Sequence, residues 1–166
     1  MAKITLGGKP ANTIGELPGH GKTVLFSKLV RNDMTEVSSE NYAGKIKVLS
    51  IFPSVDTGVC ATSIRRFNKE AAQLKNTVVL NISMDLPFAN GRFCGAEGIT
   101  NCETLSAFRS DFGQEMGLVI KDTAFTGLLA RAVLVLSADN KVIHSELVSE
   151  IGSEPNYEAA LMHLKQ

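Results

Sequence analysis

The sequence predicts an α/β domain whose sheet mixes parallel and antiparallel strands. Two observations lead to this class. An apolar run over 45–52, a helical pattern over 60–75 and a second apolar run over 77–84 follow one another, which is the order of a βαβ unit with two parallel strands. Two further strand-sized runs flank the turn formers at 137–140, and these predict an antiparallel hairpin.

Length and composition indicate one globular domain over residues 1–166, which is large enough to form a hydrophobic core without disulfides or structural metals. Hydrophobic residues make up 44% and charged residues 20%, which excludes a disordered chain. Because 17 basic residues balance 17 acidic ones, nothing in the charge indicates nucleic acid or an anionic membrane as a partner. The sequence shows neither a signal-peptide core nor an apolar run of about 18 residues, so we expect a soluble, cytoplasmic protein.

The segment before the first predicted helix consists of short strands and turns. Residues 1–23 alternate glycine and proline turns with short apolar pieces, which predicts a hairpin or an irregular extension. A short strand is expected over 23–30 and a turn over 41–44. The run over 45–52 becomes continuously apolar, as is typical of a strand buried on both faces, and Pro53 ends it.

The predicted helix over 60–75 has an apolar stripe and a charged opposite face. A strand over 77–84 follows it. Residues 85–101 are rich in glycine and polar residues, so we expect this segment to be turn-rich and mobile.

The last third of the chain predicts two helices and the hairpin. One helix is expected from Thr104, with Gly113 after its end. Strands over 131–136 and 141–147 form the hairpin. The final helix is expected to begin near Pro155, since proline favours the first helical turn.

Cys60 is the residue whose position first points to chemistry. It follows the loop between a buried strand and a helix, and with Thr57 as N-cap it becomes the third helical residue. Unpartnered backbone N–H groups and the positive helix end both favour a thiolate there. Open α/β sheets also place their sites at this edge. Buried cysteines are common, however, so on these grounds an inert core cysteine is about equally well supported.

Three ordered segments resemble one family. Pro53, Thr57 and Cys60 match the peroxiredoxin motif Pro-x3-Thr/Ser-x2-Cys, and their surroundings resemble its bacterial thiol peroxidase branch. Residues 91–98, Gly-Arg-Phe-Cys-Gly-Ala-Glu-Gly, resemble that branch's resolving-cysteine segment. Residues 127–132, Gly-Leu-Leu-Ala-Arg-Ala, resemble the segment that carries its active-site arginine. One motif is moderately specific, whereas three in order are highly specific.

The resemblance implies a thioredoxin-like fold with a mixed central sheet flanked by helices and an N-terminal hairpin extension. It implies a thiol peroxidase of antioxidant defence, in which the Cys60 thiolate reduces hydrogen peroxide and organic hydroperoxides and becomes a sulfenic acid. Cys94 would then resolve it as an intrachain disulfide, which thioredoxin reduces. The resemblance also implies a homodimer and neither a metal nor an organic cofactor.

A lowered thiol pKa alone does not make a fast peroxidase. A thiol of pKa about 8.5 is roughly 3% thiolate at pH 7, and one of pKa about 6 is roughly 90% thiolate. Intrinsic nucleophilicity falls with pKa at a slope of about 0.4–0.5, so the net gain is only about twofold. The site must therefore also position the peroxide and stabilise the departing oxygen. In the family pattern the Thr57 hydroxyl and the Arg131 guanidinium do this, and Pro53 shields the site from water.

Two further expectations concern the surroundings of the site. An apolar lining, for which the candidates are Val59, Phe67, Phe93 and Leu129, would favour organic and lipid hydroperoxides over hydrogen peroxide. Cys102 departs from the family pattern, and we expect it to be a passenger thiol.

Two other functions would use the same cysteines and stay open as alternatives. A protein dithiol–disulfide oxidoreductase shares the fold, although the absence of a Cys-x-x-C pair argues against it. A peroxide sensor would pass its oxidation on to a partner protein instead of completing a catalytic cycle.

Overall fold

A computed structural model describes the chain over residues 1–71, 74–98 and 103–164. Its strands in those ranges are β1 (Lys3–Leu6), β2 (Lys9–Thr13), β3 (Leu29–Val30), β4 (Glu36–Val37), β5 (Ile46–Ile51), β6 (Thr77–Ser83), β7 (Thr104–Ser106), β8 (Ile120–Lys121), β9 (Ala132–Leu136) and β10 (Val142–Leu147). Its helices there are α1 (Gly58–Glu70), α2 (Pro87–Glu97), α3 (Phe112–Glu115) and α4 (Tyr157–Met162), with a 3-10 turn at Ser39–Tyr42.

The main sheet has seven strands in the order β10-β9-β5-β6-β7-β3-β4. The strands β5, β6 and β7 pair in parallel, whereas β9 runs antiparallel to β5 and β10 runs antiparallel to β9. This mixed sheet confirms the predicted fold class. The predicted βαβ unit is β5–α1–β6, and the predicted hairpin is β9–β10.

The sheet buries both of its faces. Successive side chains of a strand point to opposite sides, so Leu49 of β5 enters one apolar cluster and Val48 enters another. Helices α1 and α4 cover the second face, where the rings of Phe67 and Tyr157 meet edge to face at 5.1 Å. The Ser63 and Tyr157 hydroxyls also lie within 2.8 Å of each other. These contacts hold α1 against the sheet, and its first turn follows the carboxyl end of β5.

The N-terminal hairpin is present as β1 and β2, which form a second, three-stranded sheet with β8. The strand expected over 23–30 is shorter than predicted and consists of β3 alone, with an isolated bridge from Thr23 to Lys141. Lys28 has a φ of 58°, in the left-handed region, and this conformation breaks the extended run before β3.

The expectation of a turn-rich segment over 85–101 was wrong, because this segment contains α2. Pro87 opens the helix, and Gly98, with a φ of 62°, ends it in the left-handed conformation. These start and stop signals are present in the sequence. The apolar residues between them do not recur at helical spacing, so the periodicity that normally predicts a helix is missing.

The helix predicted from Thr104 was also wrong. Residues Thr104–Ser106 form β7, which pairs with Asn81–Ser83 of β6, and only Phe112–Glu115 is helical. Leu105 and Phe108 lie three residues apart, which imitates a helical repeat. The open edge of β6 offers backbone hydrogen bonds that outweigh this local pattern.

The last helix, α4, begins two residues after Pro155, and Asn156 caps it by accepting a hydrogen bond from the Ala159 N–H. Tyr157, Ala160, Leu161 and Leu164 are buried as predicted. No helix in the three described ranges is long and apolar enough to cross a bilayer.

Candidate active site

Cys60 is the third residue of α1, and Thr57 is the N-cap, as predicted. The Cys60 side chain has no exposed surface and packs with Phe52, Val55 and Ile64 in a small apolar cluster. Its backbone N–H donates to the Thr57 carbonyl at 3.1 Å. The sulfur is therefore enclosed by apolar groups, and any polar group that reaches it acts at low dielectric.

Two polar side chains reach the Cys60 sulfur. Thr57 Oγ1 lies 2.7 Å from it, and Arg131 Nη1 lies 3.1 Å from it. Arg131 is 3% exposed, so water screens its charge little. A buried guanidinium at this distance stabilises negative charge on the sulfur. The structure thus brings together three of the predicted site residues, from two segments that are far apart in the chain.

The Thr57 hydroxyl has two acceptors for its single proton. It contacts the Ser54 carbonyl at 3.0 Å as well as the Cys60 sulfur. When the sulfur is a thiolate, the hydroxyl can donate to it; when the sulfur is a thiol, the S–H can donate to Oγ1 and the hydroxyl can turn to Ser54. The site can therefore satisfy Thr57 in either protonation state of the sulfur.

The arrangement of strands explains how Arg131 reaches Cys60. Residue 131 comes directly before β9, and Ala132 pairs with Ile51 at the end of β5. Because β9 is antiparallel to β5, its beginning lies at the edge where β5 ends and α1 starts. Arg131 Nε donates to the Ile151 carbonyl at 2.8 Å, which leaves Nη1 directed at the sulfur.

Asp85 anchors the loop before α1, and sequence reasoning missed it. Its carboxylate accepts hydrogen bonds from the Ser54 hydroxyl at 2.8 Å and from the Val55 N–H at 2.9 Å. The Ser83 hydroxyl donates to the same carboxylate at 2.6 Å. The available signal was position: Asp85 follows β6 as Pro53, which is buried, follows the parallel neighbour β5.

Cys94 lies on α2, half-buried, with its sulfur 3.7 Å from the Thr104 hydroxyl of β7. No disulfide joins Cys94 to Cys60 in this structure. The polar contacts of Cys60 come from Thr57 and Arg131, whereas Cys94 meets β7. Cys102 lies outside the described residues.

A cleft of about 460 Å³ lies between the first turn of α1 and helix α2. Of the four predicted apolar lining residues, Phe93 borders the cleft, and Val59 is half-buried without lining it. Phe67 and Leu129 are fully buried in the two core clusters. Phe67 shares the buried face of α1 with Cys60 but lies two turns further on, and Leu129 packs beside Gly113. The full lining is Val55, Asp56, Thr57, Gly58, Ala61, Ala89, Arg92, Phe93, Ala96 and Glu97.

An ion pair between Arg65 of α1 and Glu97 of α2 spans the two helices that border the cleft. Because Glu97 is paired with Arg65, Asp56 and Arg92 are the remaining charged side chains of the lining. Within the three described ranges, no cluster of three histidine, cysteine or acidic side chains could hold a metal ion.

Comparison with known proteins gives consistent matches over almost the whole chain. The Redoxin family model matches residues 10–161. A thiol peroxidase of Corynebacterium glutamicum is 53% identical over 164 residues, and one of Mycobacterium tuberculosis is 52% identical over the same length, each alignment covering 99% of both chains.

Solved structures agree with these matches. A peroxiredoxin-like protein from Aquifex aeolicus has a TM-score of 0.91 at 33% identity, covering 99% of this chain and 96% of that one. A thiol peroxidase from Chromobacterium violaceum has a TM-score of 0.87 at 22% identity, covering 98% and 95%, and shares the fold. The thioredoxin-like fold expected from the resemblance is thereby confirmed.

Proposed function

The chain belongs to the Redoxin family and, within it, to the bacterial thiol peroxidases, and from this premise we propose that Cys60 is its peroxidatic residue. As a member of that branch it is a peroxidase enzyme of the peroxiredoxin type. One observation carries the assignment of the residue: a fully buried sulfur lies 3.1 Å from a buried guanidinium and 2.7 Å from a hydroxyl.

In the proposed first step the Cys60 thiolate attacks the outer oxygen of a hydroperoxide. A sulfur–oxygen bond forms and the O–O bond breaks, so Cys60 becomes a sulfenic acid. The peroxide is reduced by two electrons, and its inner oxygen leaves as an alkoxide or hydroxide that takes up a proton to give an alcohol or water. Arg131 and Thr57 stabilise the charge that develops on the departing oxygen.

The route to the sulfur runs through the cleft. The Cys60 side chain has no exposed surface, whereas Thr57 both lines the cleft and contacts the sulfur. A peroxide that displaces the Ser54 carbonyl from the Thr57 hydroxyl would lie beside Sγ. Pro53, which is buried next to this loop, keeps bulk water away in the proposal.

Cys94 is the proposed resolving residue. Its thiol condenses with the Cys60 sulfenic acid, which forms the disulfide and releases water. Because its sulfur contacts Thr104 on β7 in the reduced fold, α2 must partly leave β7 for the two sulfurs to meet. A thioredoxin then reduces the disulfide by thiol–disulfide exchange, and the location we propose is the cytoplasm, where thioredoxin keeps thiols reduced.

The substrates we propose are hydrogen peroxide and organic hydroperoxides, with a homodimer as the working form. Phe93 is the predicted apolar residue at the cleft, so a preference for organic hydroperoxides would depend on it. We expect Phe93→Ala to lower kcat/KM for cumene hydroperoxide about tenfold more than kcat/KM for hydrogen peroxide. Equal losses for the two peroxides would contradict that preference.

The experiment that tests the function is a disulfide map with a turnover assay. Reduced protein receives one equivalent of cumene hydroperoxide, remaining thiols are capped, and peptides are massed without reduction. We expect a Cys60–Cys94 link that is absent in Cys60→Ser and retained in Cys102→Ser. Thioredoxin-coupled peroxide consumption should depend on Cys60 and Cys94 alike.

The alternatives give other results in the same experiment. Unmodified thiols, or a Cys94–Cys102 link, would contradict the peroxidatic assignment of Cys60. A sensor would form stoichiometric disulfide without thioredoxin-linked turnover. A protein dithiol oxidoreductase would reduce insulin, and we expect this protein not to do so.

A further inference from the structure

The orientation of Arg131 depends on the loop that follows β10. The Ile151 carbonyl accepts the Arg131 Nε–H at 2.8 Å, and the Val148 N–H donates to the Arg131 carbonyl at 2.9 Å. A guanidinium is planar and rigid, so one fixed N–H largely determines where the others point. The position of the Ile151 carbonyl therefore decides whether Nη1 meets the Cys60 sulfur.

That loop is held by the N-terminal hairpin. The Ile151 N–H donates to the Thr5 carbonyl at 2.9 Å, and the Thr5 N–H donates to the Ser149 carbonyl at 2.7 Å. These two bonds make a parallel bridge between β1 and the loop. Ile151 itself is buried, with 2% of its surface exposed. A segment more than 100 residues away in the chain thus fixes the carbonyl that holds Arg131.

The Glu150 carboxylate ties the two parts together. Its Oε1 accepts from the Gly8 N–H at 2.8 Å and from the Thr5 hydroxyl at 3.0 Å. Its Oε2 accepts from the Gly152 N–H at 2.9 Å and from the Gly7 N–H at 3.3 Å. These donors lower the pKa of Glu150 to about 2, so the carboxylate stays ionised across the working range of the enzyme.

Glycine is required at the turn that meets Glu150. Gly7 and Gly8 connect β1 to β2 with φ values of 59° and 79°, which lie in the left-handed region. In that conformation both backbone N–H groups face the carboxylate. The hairpin turn is therefore shaped to bind an anion supplied by the loop that carries Ile151.

We propose that Glu150 and Thr5 are positioning residues of the peroxidase site, which act through the Ile151 carbonyl to hold Arg131 on the Cys60 sulfur. The inference rests on the proposed function, in which Arg131 stabilises the charge of the reacting groups. It gives the N-terminal hairpin a role in the chemistry, although the hairpin itself contributes no group to the sulfur. A displacement of about 1 Å at a reacting group can cost about a hundredfold in rate.

The test compares Glu150→Gln and Thr5→Val with the parent enzyme. Glutamine replaces one acceptor oxygen by an NH2 group that faces N–H donors, and valine removes the hydroxyl at nearly constant shape. We expect kcat/KM for cumene hydroperoxide to fall about ten- to a hundredfold in Glu150→Gln and less in Thr5→Val. Glu158→Gln, which changes an exposed glutamate of α4, is the matched control and should behave as the parent.

A second readout separates positioning from stability. In a Cys94→Ser, Cys102→Ser background, the rate of Cys60 alkylation by iodoacetamide is measured at about pH 6 and about pH 9. Misplacement of Arg131 should slow alkylation of Glu150→Gln most at the lower pH, where the thiolate needs the guanidinium, and the rates should converge at the higher pH. A merely structural role of Glu150 would lower the unfolding temperature and leave this pH profile unchanged.

The outcomes for Arg131 distinguish this inference from the proposed function. Loss of activity in Arg131→Lys, together with parent-like kcat/KM and pH profile in Glu150→Gln, would overturn the positioning role and leave the peroxidase assignment intact. Full activity in Arg131→Lys would overturn the role of Arg131 and with it the positioning role, and would leave the peroxidatic assignment of Cys60 standing. Non-additive losses in the double variant Arg131→Lys, Glu150→Gln would support the inference, because both changes would then remove one interaction.

Discussion

Thr57 and Arg131 stabilise the Cys60 sulfur in different ways. The guanidinium contributes a charge that is present at every working pH, whereas the hydroxyl contributes one proton that can turn between Ser54 and the sulfur. In the proposed reaction, a peroxide bound beside Sγ requires such an adjustable donor, because its departing oxygen changes from neutral to charged while its other oxygen is transferred to the sulfur. The hydroxyl at residue 57 should therefore matter more than the methyl group it carries.

We expect Thr57→Val to lower kcat/KM by about 10²–10³, which is the usual cost of removing one donor from a developing oxyanion. Thr57→Ser keeps the hydroxyl and is the matched control, for which we expect most of the activity to remain. Single-turnover oxidation of Cys60, followed by stopped flow, measures the step directly. Equal rates for the valine and serine variants would show that the hydroxyl takes no part.

The side chains of the candidate site could be predicted from the sequence, whereas the backbone groups that hold them could not. The position of Cys60 at a helix start was visible from spacing, and the resemblance identified Arg131. The Ile151 carbonyl has no signature in a sequence, and an aspartate after a strand, such as Asp85, is too common to single out. Phe67 was predicted to line the site because helical spacing identifies the buried face of α1. The same spacing does not show how far along the helix the site extends.

At the scale of elements, α2 carries a buried polar side chain that opposes its docking. Asn90 is 1% exposed, and neither its amide nitrogen nor its oxygen has a hydrogen-bond partner among the described residues. A buried polar group without a partner costs about 1–3 kcal/mol. This cost would disappear on opening of α2 to water, so Asn90 would lower the free energy of the opening that the proposed resolution step requires.

We expect Asn90→Leu to stabilise docked α2 by about 1–3 kcal/mol, since leucine has a similar volume and no polar atoms. Formation of the Cys60–Cys94 disulfide should slow about tenfold for each 1.4 kcal/mol, while the initial oxidation of Cys60 keeps its rate. Hydrogen exchange of α2 amides should slow in parallel. Asn90→Asp, which buries a charge, is the opposing variant, and disulfide formation in Asn90→Leu at the parent rate would contradict the argument.

The elements that sequence reasoning missed share a physical cause. The apolar residues of α2 do not recur at helical spacing, and the helix packs against β7. The residues of β7 have helical spacing, although they pair with β6 as a strand. Both are decided by tertiary contacts at the open edge of β6. By contrast β5, α1, β6 and the β9–β10 hairpin carry strong local patterns, and their bounds lie within a few residues of those predicted.

The contact between α4 and β10 should make stability depend on pH. The rings of His144 on β10 and His163 at the end of α4 lie 5.3 Å apart, and His144 Nε2 is buried without a partner in the described ranges. Burial first, and the neighbouring His163 second, lower the pKa of His144, whereas Glu146 raises it. A histidine kept neutral in the fold contributes stability that is complete above its unfolded pKa and is lost as the pH falls through its folded pKa.

We therefore expect the unfolding temperature to fall as the pH drops from about 7 to about 5, below the ordinary histidine pKa of about 6.5. His144→Leu should remove most of that fall, because it has no proton to bind. Lys121→Met, a change at a half-buried residue of β8, should not alter the slope. Calorimetric scans at three pH values measure it, and an identical slope in His144→Leu would contradict the assignment.

At the scale of the whole molecule, the site is assembled from segments spread along almost the entire chain. The sulfur and its hydroxyl come from the start of α1, the loop anchor Asp85 from the end of β6, and the guanidinium from the start of β9. The carbonyl of Ile151 and the hairpin around Thr5 complete the support. No single segment can form the environment of Cys60 by itself, so this environment should exist only while the whole sheet is folded.

The two cysteines should consequently lose their protection at different stages of unfolding. In the proposed mechanism α2 opens locally and exposes Cys94, whereas the Cys60 environment depends on the global fold. In a urea titration of a Cys102→Ser background, we expect maleimide to label Cys94 below the midpoint of the far-UV circular dichroism transition. Single-turnover oxidation of Cys60 should instead be lost at that midpoint, because Arg131 and Thr57 leave the sulfur only when the sheet unfolds.

Asn90→Leu should move Cys94 labelling towards the global transition without moving the loss of Cys60 oxidation by the same amount. Loss of Cys60 oxidation well below the midpoint would show that the sulfur's surroundings are a local structure, and simultaneous exposure of Cys94 at the midpoint would show that α2 does not open on its own.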